Sequence, residues 1–305
     1  MSYEAIKDNL YQISGGFGDG GENFGAYLIK DDPAILIGIS GKKLVDNLTE
    51  TISDLDIGEF RVYLPNVTVT ELLTIKEFRK EYKDIKIHVY KTILEEIARP
   101  RSEYLQHHFI NHTKLKEIEK HLPKKIEGLV GIDRGDTLQT GKTKLLIIPF
   151  PGPHRGHTFL YSTAHKALFS GVFLSLTPLN PNFYYLDLSS SLDQYFQGLE
   201  FIQQATTEIH IPSYDQPQLL RNKPISTAYL KASIESDVDR LQQILKEEPK
   251  SFDMIVKEYR TLHPDDLFYP YSRLNFIETK ITRLLDFLTK QKKIQLAGDK
   301  YHLIQ

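Results

Sequence analysis

The chain of 305 residues contains no cysteine. This excludes disulfides, thiolate metal sites and a cysteine nucleophile, and leaves the compartment open. Long apolar runs are also missing: none approaches the roughly eighteen residues needed to span a bilayer. The opening MSYEAIKDNLYQIS has no apolar core of a signal peptide, so the expected location is cytoplasmic with no membrane partner. There is no dominant charge either. A formal net charge of −2 commits the whole chain to neither nucleic acid nor membrane. What remains is an ordinary globular composition, 40% apolar and 26% charged, long enough for one large domain or two smaller ones.

The pattern changes near residue 221. Before it, short β-rich runs alternate with helical ones, which predicts an α/β sheet protein. NFGAYLIK and PAILIGI read as paired strands, and Leu44, Val45, Leu48 and Ile52 recur at helical spacing. FRVYLP, IKIHVY, TKLLIIPF, HTFLYST, KALFSGVFL and EIHIP read as further strands, with helices over 69–82 and around 190–204. Beyond it the pattern is helical: 225–248 with Ser226-Thr227 as the expected cap, 251–262 with Ser251 as cap, and 273–293. KIQLAGDKYHLI then predicts a hairpin about Gly298-Asp299. Three helices and a hairpin form a winged-helix pattern. Residues 221–305 carry 15 Lys/Arg against 12 Asp/Glu, a charge of +3 that leaves −5 on 1–220. The expected division is therefore 1–220 and 221–305.

Two motif matches mislead. GFGDGG (16–21) has dinucleotide-loop spacing, but a strand follows where that motif needs a helix N-terminus. TGKT (140–143) lacks the first glycine of a phosphate loop, since Asp136 stands there, and it too precedes a strand. No serine lies in a G-x-S-x-G elbow. Asp133 and Asp136, in DRGD, read as a turn. Phe183 to Asp187 reads as packing under a loop. HHFINH reads as a helix with His108 and His112 one turn apart.

NLYQI, a glycine-rich loop, NFGAYLI and AILIGIS, then GDTLQTGKTKLLIIPFPGPHRGHTFLYSTAHKALFSGVFLS, resemble the metallo-β-lactamase-fold superfamily over roughly 5–220. The helical tail looks like that of the β-lactamase-like-2 hydrolases, some of which cut RNA. The resemblance implies an αββα sandwich followed by a winged-helix-like domain. It also implies a binuclear metal site built from His-x-His-x-Asp-His after a strand, with an open position that activates water. Here those positions are Asn66, Thr68, Thr70 and Glu71, of which only Glu71 is a good ligand. The later ligands fall on Pro153, Val172 and Tyr214, and a further family aspartate falls on Gly38. No histidine precedes His88, so no shift of alignment restores the histidine-rich loop.

The expectation is therefore a protein without the family's metal or other cofactor, and without its catalysis, that acts by binding, as a scaffold or as a regulator. The alternative is a hydrolase with a rebuilt zinc or iron site. His154, His157, His210, Asp187 and Asp215 come from segments expected at the sheet edge that carries the family site. His154, Arg155, His157 and Asp215 are the pocket candidates. In the tail, Arg273, Lys280, Arg283, Lys290, Lys292 and Lys293 are candidates for nucleic-acid contact. Protein contact or self-association through the tail is an equal alternative.

Overall fold

The computed structural model describes residues 2–17, 23–41, 43–99, 101–108, 112–173, 184, 186–213, 218–219, 227–262 and 276–304. A seven-stranded sheet holds its strands in chain order: β1 (Tyr3–Lys7), β2 (Leu10–Phe17), β3 (Asn23–Ile29), β4 (Ala34–Ile37), β5 (Phe60–Leu64), β6 (Ile87–Tyr90) and β7 (Leu129–Ile132). The first four pair antiparallel, and the last three join in parallel through helical crossovers. Those crossovers are α1 (Leu44–Asp54), α2 (Val69–Glu81) and the run α3 (Lys91–Ala98), α4 (Arg101–His108) and α5 (His112–His121).

The second sheet contains β8 (Thr137–Thr140), β9 (Thr143–Pro149), β10 (Thr158–Ser162), β11 (Ala167–Gly171), β12 (Ile209–Pro212) and β13 (Gln218–Leu219), with α6 (Leu192–Gln204) between β11 and β12. Its strand order is β13-β12-β11-β10-β9-β8. The tail supplies α7 (Ala228–Ile244), β14 (Lys250–Ser251), α8 (Phe252–Leu262), α9 (Phe276–Lys290), β15 (Ile294–Ala297) and β16 (Lys300–Leu303). Its three strands form a small sheet in the order β14-β16-β15.

Strand periodicity sorts the apolar residues into layers. On β3 and β4, Tyr27, Ile29, Ile35 and Ile37 point between the two sheets, where Leu145, Ile147, Phe169 and Ile211 meet them. The alternate residues Ala26, Leu28, Ala34 and Leu36 join Leu44, Leu48, Leu72 and Phe78 under α1 and α2. A third core lies on the outer face of the second sheet. There Phe159, Leu168, Tyr195 and Leu199 share one continuous cluster with Ile234, Leu241, Tyr259, Ile281 and Leu288 of the tail. Both sheets are thus covered on their outer faces by helices. Asp31 fastens them at one end: its carboxylate accepts the Lys142 and Thr143 amides at 2.9 and 3.0 Å. A Cβ on Gly141 would stand 1.9 Å from that carboxylate, so only glycine fits there.

The misleading motifs find their places. The TGKT segment is the β8–β9 turn and precedes a strand, and DRGD closes on itself as the expected turn, with the Asp133 amide donating to the Asp136 carboxylate at 2.9 Å. The GFGDGG segment begins as strand, because β2 runs on through Phe17, and its last residues lie outside those described. Of HHFINH, His107 and His108 lie in α4 and His112 begins α5, while 109–111 lie outside the described residues. Thr227 stands at the α7 N-terminus with helical backbone and no side-chain cap bond, while Ser226 lies outside the described residues. Among the described residues no helix is long and apolar enough to cross a membrane.

Candidate functional site

The ends of β4, β5, β11 and β12 and the β9–β10 turn converge at one edge of the sandwich. The Gly38 amide donates to the Tyr63 carbonyl at 2.8 Å, and the Thr158 amide to the Pro65 carbonyl at 2.9 Å. Ser213 follows β12; its amide donates to the Gly171 carbonyl at 2.9 Å and its hydroxyl to Asn66 Oδ1 at 3.2 Å. Gly171 holds a left-handed backbone, φ +59°, and a Cβ there would lie 2.6 Å from His157 Nε2 and 2.8 Å from Asn66 Oδ1. Asn66, His157 and Gly171 therefore meet at this edge.

The donor set does not suit a metal. Glu71, the one good ligand expected, is the N3 residue of a capping box on α2. Its Oε2 accepts from the Thr68 amide at 2.8 Å and from the Thr68 hydroxyl, and its Oε1 accepts from Ser40 at 2.7 Å. One carboxylate oxygen closes the start of α2 and the other takes the Ser40 hydroxyl. Thr70 donates its amide to the Thr68 hydroxyl at 3.3 Å. Val172, expected at a ligand position, is 1% exposed, and its side chain is apolar. The buried Pro153 offers only its carbonyl, which accepts from the Ser190 hydroxyl. Tyr214 and Asp215 lie outside the described residues. Among the described residues no cluster of three His, Asp or Glu side chains has the geometry to hold a metal ion.

The histidines are buried and engaged. His157 is fully buried, with Nδ1 3.0 Å from the Phe150 carbonyl and Nε2 2.9 Å from the Ser170 carbonyl. Two facing carbonyls favour the cation, but burial opposes it and prevails, and the neighbouring His154 adds to the effect. The His157 pKa is pushed down to about 3. The neutral ring donates to one carbonyl only. His154, 3% exposed, accepts the Gly156 amide at 3.3 Å and sets its ring edge-on to His157 at 5.6 Å. His210 Nε2 lies 2.7 Å from the Ser170 hydroxyl. Arg155 turns outward to Glu96 at 3.4 Å. The Asp187 carboxylate takes the Ser189 amide and hydroxyl, each at 2.7 Å.

Where the two sheets open at this edge the space is nearly closed. Gly38, Pro65, Phe169, Gly171 and Ser213 line a cavity of about 10 Å³, room for roughly one water. Tyr27 closes it further by donating to the Pro212 carbonyl at 2.9 Å. A depression of about 480 Å³ lies between α8 and α9, and one of about 490 Å³ lies between α6 and the tail helices.

No protein-family model matches the sequence. No curated protein matches it either. Solved structures do. A metallo-beta-lactamase family protein from Thermus thermophilus superposes with a TM-score of 0.72 at 14% identity, covering 98% of this chain and 100% of that one. The chain has the metallo-β-lactamase fold. A beta-lactamase domain protein from Burkholderia ambifaria gives a TM-score of 0.75 at 14% identity, over 99% of this chain and 94% of its own. An archaeal metallo-beta-lactamase superfamily protein from Sulfolobus tokodaii gives 0.53 at 14% identity, over 92% and 99%. The first two metallo-β-lactamase-fold matches extend through the tail as well as the sandwich.

Two features of this edge went unread in the sequence. The Thr68-x-x-Glu71 spacing is itself a capping-box signature, and it identifies Glu71 as structural. The Ser170–His210 contact joins residues 40 apart and has no local signal. The tail cations divide. Lys280, a candidate for nucleic-acid contact, is instead 7% exposed with its ammonium on Asp237 at 2.6 Å, spent inside the tail. Arg283 pairs with Asp286 at 2.5 Å. Lys290, Lys292 and Lys293 are exposed, and Arg273 lies outside the described residues.

Proposed function

We propose that this metallo-β-lactamase-fold protein has given up the binuclear site and works by binding, as a scaffold or regulatory protein. The observation that carries the reading is Glu71. The position closest in chemistry to a metal ligand has both oxygens occupied by Ser40 and Thr68. Among the described residues the cavity at this edge is about 10 Å³, which supports the reading, because a substrate needs a cleft of roughly 300 Å³ or more.

Among its described residues the tail runs helix, strand, helix, helix, strand, strand, with its strands ordered β14-β16-β15, which supports a winged-helix-like unit over 221–305. A winged helix reads DNA with its third helix laid in the groove. Here α9 exposes only Asp286, Thr289 and Lys290 among its described side chains. That favours a protein partner or self-association over nucleic acid.

Elemental analysis of the purified protein after dialysis tests the reading. The expected content is below about 0.1 equivalent of zinc or iron per chain. One or two equivalents would overturn it and favour the rebuilt hydrolase site at His154, His157 and Asp215.

A further inference from the structure

The tail carries a buried polar cluster. Asp237 of α7, 2% exposed, takes the Lys280 ammonium of α9 at 2.6 Å and the Arg240 guanidinium at 3.0 Å. It also accepts two phenols: Tyr259 of α8 donates to Oδ1 at 2.8 Å and Tyr184 to Oδ2 at 2.6 Å. The Lys280 ammonium lies 4.8 Å from the Tyr184 ring centre and 5.7 Å from that of Tyr259. Burial opposes ionisation of Asp237, but the lysine and the phenols outweigh it and hold its pKa below the usual value.

Asp237, Arg240, Tyr259 and Lys280 all come from the tail itself. Tyr184 does not: it lies between β11 and α6, in the stretch that leads to the family-site edge. Two residues on, Leu186 is fully buried. The chain then fastens to the β9–β10 turn at four points. Asp187 donates its amide to the Pro153 carbonyl at 3.4 Å, and the Ser190 hydroxyl donates to the same carbonyl. The Ser191 amide reaches the Gly152 carbonyl at 3.0 Å, and the Ser189 hydroxyl accepts the Arg155 amide at 3.0 Å. That turn carries His154 and His157. Tyr184 is thus bonded to the tail on one side, and 186–191, two residues further along the chain, is bonded to the rim of the site on the other.

We infer that Tyr184 is a latch by which the tail helices hold the 186–191 segment, and through it the 152–157 turn, in a fixed position. This holds whether or not a metal binds, so it stands apart from the proposed function. Tyr259 is the internal control, because it gives the same carboxylate the same kind of hydrogen bond from within the tail. The test is hydrogen exchange on the full-length protein and on Tyr184→Phe and Tyr259→Phe, each of which removes one hydroxyl. Hydrogen bonds to charged groups are among the stronger ones, so Tyr184→Phe is expected to speed exchange on the order of tenfold at the amides of Arg155, His157, Ser190 and Ser191. Tyr259→Phe is expected to leave those amides at the wild-type rate and to act within α7–α9. Unchanged rates at the rim in Tyr184→Phe would overturn the latch. So would equal acceleration by both variants, or uniform acceleration along the chain, since each marks general destabilisation.

Discussion

His157 is held at the sandwich edge by backbone groups on both sides of its ring. It sits beside Gly171 and Asn66, but its two nitrogens face backbone carbonyls. Its pKa lies near 3 when folded and near 6.5 when unfolded. Between those values the unfolded chain binds the extra proton, so stability is complete above about pH 6.5 and falls as pH drops toward 3. His88 and His165 are also held below the usual value, chiefly by burial, and act in the same direction. Urea unfolding from pH 7 to pH 4 should show a loss approaching about 1.4 kcal/mol per pH unit from His157. His157→Gln should flatten that slope. A slope unchanged in the variant would remove His157 as its source.

Among the elements, α2 is the one that decides how Glu71 is read. A capping box closes its N-terminus, with Glu71 as the N3 residue. Glu71→Ala would strip the acceptor from the Thr68 amide and from the Ser40 hydroxyl, both buried. A lost cap costs about 1 kcal/mol and a stranded buried donor about 1–3 kcal/mol. The expected destabilisation is about 2–4 kcal/mol by urea unfolding. Glu71→Gln, which keeps one acceptor oxygen, should cost less. If Glu71→Ala lost metal and left stability unchanged, the residue would be a ligand and not a cap. The box was legible in Thr68-x-x-Glu71; what hid it was reading the same residues against a ligand motif. The β9–β10 turn differs, because its histidines were legible and their partners, the Phe150 and Ser170 carbonyls, were not.

For the whole molecule, the decisive fact is that the tail shares a core with the second sheet. Tyr195, Leu199 and Ile202 of α6 pack in one cluster with Ile281, Leu284 and Leu288 of α9, and Phe196 meets Phe287 at 5.7 Å. Each large apolar side chain uncovered costs roughly 1.5–3 kcal/mol. A chain ending at residue 220 is therefore expected to aggregate, or to lose cooperative unfolding, when followed by size-exclusion chromatography and urea titration. A monomeric fragment with a sharp transition would show that the sandwich stands alone.

Composition and periodicity were enough to determine the alternating strands and helices, the helical tail with its hairpin, and the absence of histidine before position 88. These depend on residues close in the chain, whose spacing alone decides which face is apolar. Only the tertiary structure decided that Glu71 faces Ser40 and Thr68, that Lys280 is buried on Asp237, that the sheets close to about 10 Å³ at their edge, and that Tyr184 bridges tail and rim. Each of these joins groups brought together by packing, where burial strengthens polar contacts and penalises unpaired ones. Local spacing carries no record of that.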